Sequence, residues 1–159
     1  YIEGAYYALI AGDFELASEH AGWFQDRPNG KKMDPEVNDF AFALKYTLLG
    51  DTDKALSILR PRLDKYLKKP PKGGYKRNYF NLTIALVGIL EKDEALFNEG
   101  LSQQLHFHLG DARGEYKNMP QGFICDDAVA LANLGIHHGL RVTVSDYRLP
   151  SGLLIEKPQ

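Results

Sequence analysis

A single cysteine, Cys125, stands in the whole chain, so no intramolecular disulfide can form. That count fits a reducing compartment, and the expected location is the cytoplasm. The longest apolar stretch, Leu82 to Leu90, stops at nine residues; a membrane-spanning helix needs roughly 18, so no membrane role is expected. No secretory leader is evident. The chain opens at Tyr1 inside what reads as a helix, which leads to the expectation that it is the C-terminal part of a longer protein.

The residue patterns of common chemistries are also missing. Lys72-Gly73-Gly74-Tyr75-Lys76 lacks the spacing of a phosphate-binding loop and follows no strand. Cys125 has no glycine-rich elbow around it, and Asp126 and Asp127 beside it disfavour a thiolate, so it reads as a small buried hydrophobe. His106 and His108 are two apart and His137 and His138 adjacent, whereas helical metal ligands recur at three or four residues. They read as helix-end histidines near the negative pole of the macrodipole. Carboxylate pairs such as Asp126/Asp127 and Glu91/Glu94 are explained by capping and solvation. No metal, cofactor or enzymatic activity is expected.

What is there is a globular composition. The 159 residues are 44% hydrophobic and 25% charged, enough for one compact domain over residues 1–159 with a substantial core and no staple. A weak repeat organises the chain. Gly12-Asp13 and Gly50-Asp51 lie 38 residues apart, each followed by an alanine (Ala17, Ala55), and a third copy runs from Gly88 to Ala95. Each reads as a helix end, a tight turn and a new helix capped by aspartate. The fold class expected is all-α, an irregular array of antiparallel helical hairpins stacked in the manner of tetratricopeptide repeats, with a short extended C-terminal segment.

Helices are predicted over about 2–11 and 14–25, and from the Asp34-Pro35-Glu36 start to about Leu49. Asp26 to Gly30 between them reads as a loop. Leu56, Leu59, Leu63 and Leu67 form one stripe, with Pro61 expected to kink the helix or end its hydrogen-bond ladder. Lys68 to Arg77, with Pro70-Pro71 and Gly73-Gly74, reads as irregular. A third pair starts at Asn78, carrying Phe80, Ile84, Val87 and Leu90, then Phe97, Leu101 and Leu105; Gly110 to Met119 reads as a polar loop. The small-residue helix from Cys125 to His138 is expected at the centre. Beyond Gly139, Leu140, Val142 and Val144 alternate with polar residues, which predicts an extended stretch without a partner strand lying against the last helices.

Charge is unevenly placed. Net charge is −2, yet residues 60–77 hold eight bases and one acid, leaving −9 for the remainder. Lys65, Lys68, Lys69, Lys72, Lys76 and Arg77, interleaved with Tyr66, Tyr75 and Tyr79, have the composition of a single-strand nucleic-acid loop. An isoelectric point near 6.2 argues against that use. The remaining readings are a solvated loop and a surface for an acidic protein partner. Lys65, Lys68, Lys69, Lys72, Tyr75, Lys76, Arg77 and Tyr79 are the candidate partner-binding residues.

The order of elements in the C-terminal half carries a resemblance. Lys92 to Leu101 leads to His106-Phe107-His108, then Gln121-Gly122-Phe123-Ile124, the helix from Asp127 to Leu134, His138 to Val144, and Tyr147-Arg148-Leu149-Pro150-Ser151-Gly152-Leu153-Leu154. Over roughly residues 34–155 this resembles the Imm49-type immunity proteins of bacterial polymorphic toxin systems. A related helical family, the antagonists of PoNe nucleases, resembles it in the last helix and the Tyr/Pro ending. Such membership implies a helical fold without catalytic groups that neutralises a cognate toxin domain by protein–protein contact. The basic segment would be the gripping surface. A rival surface is the acidic set Asp13, Glu15, Glu19, Glu91, Glu94 and Glu99, which could mimic nucleic acid toward a basic nuclease toxin. The reading from a different class is a helical-repeat adaptor that binds peptides in a concave groove.

Overall fold

The computed structural model describes residues 1–25 and 34–156. The expected loop at Asp26–Gly30 lies outside the described residues. Seven α-helices follow one another among the described residues: α1 (Ile2–Ile10), α2 (Phe14–Trp23), α3 (Pro35–Leu48), α4 (Thr52–Lys68), α5 (Gly74–Glu91), α6 (Glu94–Arg113) and α7 (Asp126–His137). Single 3-10 turns at Pro120–Gly122 and Ser151–Leu153 flank the last helix, and no strand occurs among the described residues. The fold is all-α.

The repeat seen in the sequence is a single turn built three times. Asp13, Asp51 and Asp93 each accept a hydrogen bond from the backbone N–H three residues on, at 2.9, 3.2 and 3.0 Å. The N–H of each aspartate also returns to the carbonyl five residues back, on Ala8, Tyr46 and Gly88, at 2.9, 2.8 and 2.9 Å. The preceding residue is left-handed in every copy: Gly12 at φ 73°, Gly50 at 79° and Lys92 at 59°. Helix end and helix start are thus satisfied by the same three or four residues. In the third copy Lys92, and not Gly88, makes the turn. A fourth copy ends α7, with Gly139 at φ 91° and the Leu140 N–H on the Gly135 carbonyl at 2.9 Å. Leucine stands there in place of the capping aspartate, and the chain leaves without starting another helix.

Packing follows the hairpins α1–α2, α3–α4 and α5–α6, with α5 at the centre: Phe80 to Leu90 are buried without a break, against α3, α4, α6 and α7. A Cβ on Gly88 would stand 2.3 Å from the Phe97 nitrogen, and one on Gly100 2.3 Å from the Ala85 nitrogen, so α5 and α6 meet backbone to backbone. The Phe97 ring then fills the notch at Gly135, where a Cβ would lie 2.3 Å from it. The small-residue helix α7 is buried from Ala128 to Ile136, but the central place expected for it belongs to α5.

In one respect the stacking departs from a solenoid, whose units touch only their neighbours. Here α1 packs on α7. Asn133, fully buried, fastens the closure: its Nδ2 donates to the carbonyls of Leu9 and Leu153, both at 3.0 Å, and its Oδ1 accepts from the Ile155 N–H at 2.9 Å. The stretch after Gly139 lies along α6 as expected, its apolar residues turned inward and its polar ones out. Side chains of α6 replace the missing strand. Asn98 donates to the Arg141 carbonyl at 2.9 Å and accepts from the Thr143 N–H at 2.7 Å, and Glu94 accepts from the Arg141 N–H.

Several expected boundaries move. α4 runs through Pro61, where both Pro61 and Ser57 face water that can serve the freed carbonyl. In its last turn Tyr66 is buried and Leu67 is exposed, because seven residues from Leu59 return to within about 20° of the same face while two steps of four drift by about 80°. The irregular link shrinks to residues 69–73: Gly73 serves as the N-cap of α5, so Lys76 and Arg77 are helical. α6 continues to Arg113 and takes over the start of the expected polar loop.

Candidate functional site

The basic segment divides into two kinds of residue. Lys65, Lys68, Lys69 and Lys72, on the last turn of α4 and the link to α5, are exposed, and no ion pair joins any of them to another described residue. Leu67 and Tyr75, exposed at 59% and 48%, lie among them. The other bases are engaged. Arg60 pairs with Glu91; Arg62 pairs with Asp39 and stands 3.6 Å from Glu36; the Lys76 ammonium is 3.9 Å from Glu36. Arg77 donates to the Gln103 side chain at 3.1 Å and lies over the Phe80 ring. Tyr75 donates to Asp34 at 2.7 Å, and a hydrogen bond with the Glu36 side chain first, then this one from Tyr75, holds the Asp34 carboxyl below its usual range. Tyr79 packs on Phe40, half-buried, and faces elsewhere; Tyr66 belongs to the core. Four lysines and one tyrosine of the expected set therefore form an open surface, Lys76 borders it, and Arg77 and Tyr79 hold structure together.

The rival acidic set is partly engaged: Asp13 is a cap, Glu91 and Glu94 pair with Arg60 and Arg141, and Glu99 accepts from Gln103 at 2.6 Å, while Glu15 and Glu19 on α2 are exposed. Cys125 is fully buried at the N-cap of α7, and burial with Asp127 nearby pushes its thiol far above the ordinary range. The histidines scatter. His106 is exposed mid-helix, His108 is buried with Nε2 at 2.8 Å from the Gln121 carbonyl, and His137 stacks on Phe14 at 3.8 Å. His138 is pushed down to about 4 by burial, then by Lys92 and His137, so its place at the helix end holds a neutral ring and not the cation a macrodipole argument predicts. Among the described residues no three His, Cys, Asp or Glu are grouped to hold a metal ion.

A second feature was not foreseen. At the N-terminal end of α7 a pocket of about 330 Å³ opens between α1, α5, α6 and the stretch before α7. α1 contributes Ile2, Glu3, Tyr6 and Tyr7, α5 contributes Tyr79, and α6 contributes His108; Tyr116, Gln121, Ile124, Asp126 and Asp127 complete it. Glu3, Tyr7, Gln121 and Asp126 form an exposed rim, whereas Tyr6 and His108 are buried at the floor. Three carboxylates share this space, and no lysine or arginine lines it. Burial, and then Asp126, push the Asp127 carboxyl up to about 6, although Gln104 donates to it at 3.1 Å. Asp126 is raised as well, by burial first and by Glu3, with His108 opposing. The sequence signals this pocket through the Asp126/Asp127 pair, which capping and solvation also explain.

Comparison with protein-family models, with curated proteins and with solved structures finds no match to this chain. No helix among the described residues is long and apolar enough to cross a membrane.

Proposed function

We propose that this chain is an immunity protein that binds a cognate bacterial toxin domain in the cytoplasm and neutralises it by non-covalent contact, without turnover. The observation that supports a binding surface is the group of four exposed lysines, Lys65, Lys68, Lys69 and Lys72, left without ion pairs to described residues beside exposed Leu67 and Tyr75. Like charges held together repel, and an acidic partner relieves that repulsion while the field draws it in. The toxin-directed role is drawn from the order of C-terminal residues that resembles the helical immunity families. The peptide-binding adaptor has less in its favour, because α1 packs on α7 where an open solenoid would leave its end units apart.

Co-expression with the toxin encoded beside its gene should relieve growth arrest; unrelieved arrest overturns the role. Replacing Lys65, Lys68, Lys69 and Lys72 together by glutamate should weaken toxin binding at least tenfold, remove most of its salt dependence and leave the circular dichroism unchanged. Unaltered affinity in that variant moves the interface away from this surface.

A further inference from the structure

We propose that the pocket at the N-terminal end of α7 binds a slender organic cation, an alkylammonium or alkylguanidinium group. This reading is independent of the toxin-binding surface, which lies on α4 and the link to α5.

The first argument is charge. Glu3, Asp126 and Asp127 converge on one space with no cationic lysine or arginine among the residues that line it. An anion would meet three carboxylates there. The three carboxylates line one space without closing on a single point: among the described residues no three His, Cys, Asp or Glu are grouped to hold a metal ion.

The second is hydrogen-bond polarity at the floor. His108 and Tyr6 are 7% and 5% exposed; the Tyr6 hydroxyl is directed at Asp127, whereas the His108 Nδ1 has no hydrogen-bond partner among the described residues. His108 Nε2 faces the Gln121 carbonyl at 2.8 Å, so it carries the hydrogen. In the neutral ring this makes Nδ1 an acceptor with nothing to accept. Carboxylates accept only, and the Tyr7 hydroxyl already donates to Glu3 at 3.1 Å. Beside the hydroxyls of its tyrosines and the Gln121 amide, the pocket offers three carboxylates and an unpartnered buried imidazole nitrogen, and it has no charged donor. Its complement is a group that brings several N–H donors and a positive charge.

The third is shape and surface. Tyrosine rings form much of the remaining wall, and the electron-rich face of a ring attracts a cation. A volume of about 330 Å³ lies at the small end of ligand pockets. It suits one cationic head on a short chain.

The test is calorimetric titration of the intact chain with butylguanidinium and butylammonium at pH 7.5 and low salt. Both should bind saturably at one site and shift the tyrosine ring resonances, while 1-pentanol and pentanoate should not. Asp127→Asn should weaken butylguanidinium at least tenfold. Glu3→Gln, on the exposed rim, should weaken it about threefold, and it keeps the test valid should the first variant misfold. The blocked peptide acetyl-Gly-Arg-Gly-amide separates two sources of the same chemistry. Comparable binding of the peptide identifies a basic side chain on a protein, and binding of the free cation alone identifies a small amine or guanidine. No saturable binding of either probe overturns the proposal. So does an affinity unmoved by both variants, or pentanol binding as tightly as the cation.

Discussion

Asp127 and His138 sit at opposite ends of α7, and each is held where its charge is disfavoured. Burial raises the Asp127 carboxyl to about 6, so the folded chain keeps a proton there that the unfolded chain has released. Its contribution is full below about pH 4 and is lost as pH rises toward 6, by about 3 kcal/mol. His138 is lowered to about 4, so the unfolded chain takes up a proton that the folded chain refuses. Its contribution is full above about pH 6.5 and falls away toward pH 4. Because its ring keeps some contact with water, about 1–2 kcal/mol is the fitting magnitude. The two slopes oppose one another across the same window and flatten the wild-type profile. Asp127→Asn should uncover the histidine, giving a chain that loses stability on going from pH 6.5 to 4. His138→Asn should uncover the aspartate, giving one that gains stability over that range. Urea unfolding at half-unit pH intervals measures both, and parallel profiles for the two variants would refute the assignment. Neither shift can be seen in the sequence, where Asp127 is one of two acids at a helix start and His138 one of two histidines at its end; what decides is which of each pair the fold covers.

Glycine carries two meanings in the helices, and a sequence spells them alike. Gly50 ends α3 in a left-handed turn with open space where a side chain would grow, whereas Gly88 lies inside α5 with Phe97 backbone filling that space. Gly50→Ala should therefore cost about 1 kcal/mol, the strain of a left-handed alanine alone. Gly88→Ala must force α5 and α6 apart over a contact of 2.3 Å and should cost about 3 kcal/mol or more. Thermal or urea denaturation ranks them, and equal losses would mean that α5 and α6 yield easily. The turns at Asp13 and Asp51 are legible because glycine and aspartate stand together. The third copy misleads, since Gly88 has the spacing of the repeat while Lys92 takes the turn. Helix starts fared differently: Asp34-Pro35 is explicit, whereas Gly73 caps α5 with no side chain to signal it, and a stretch rich in proline, glycine and lysine hides a helix that begins inside it. The extended stretch after Gly139 could be read from its alternation, but Asn98 and Glu94 as its hydrogen-bond partners could not, being more than forty residues away.

The whole molecule joins residues that the chain keeps far apart, which is why the acidic pocket escapes a linear reading: its walls come from positions 2–7, 79, 108 and 116–127. The basic surface comes from one continuous stretch and was visible for that reason. The same distinction governs stability. Hairpins joined only to their neighbours would unfold piecemeal from either end. Here α1 rests on α7, and Asn133 ties the end of α1 and the tail at Leu153 and Ile155 to one buried amide. Asn133→Ala leaves the buried Leu9 carbonyl and the half-buried Leu153 carbonyl and Ile155 N–H without that partner, which costs about 2–4 kcal/mol. If the closure couples both ends, the loss should appear equally in the hydrogen-exchange protection of α1 and α7 amides, and urea unfolding should remain a single transition. Protection lost in α1 alone, with α7 unchanged, would mean that the first hairpin frays by itself and that the array behaves as an open stack after all.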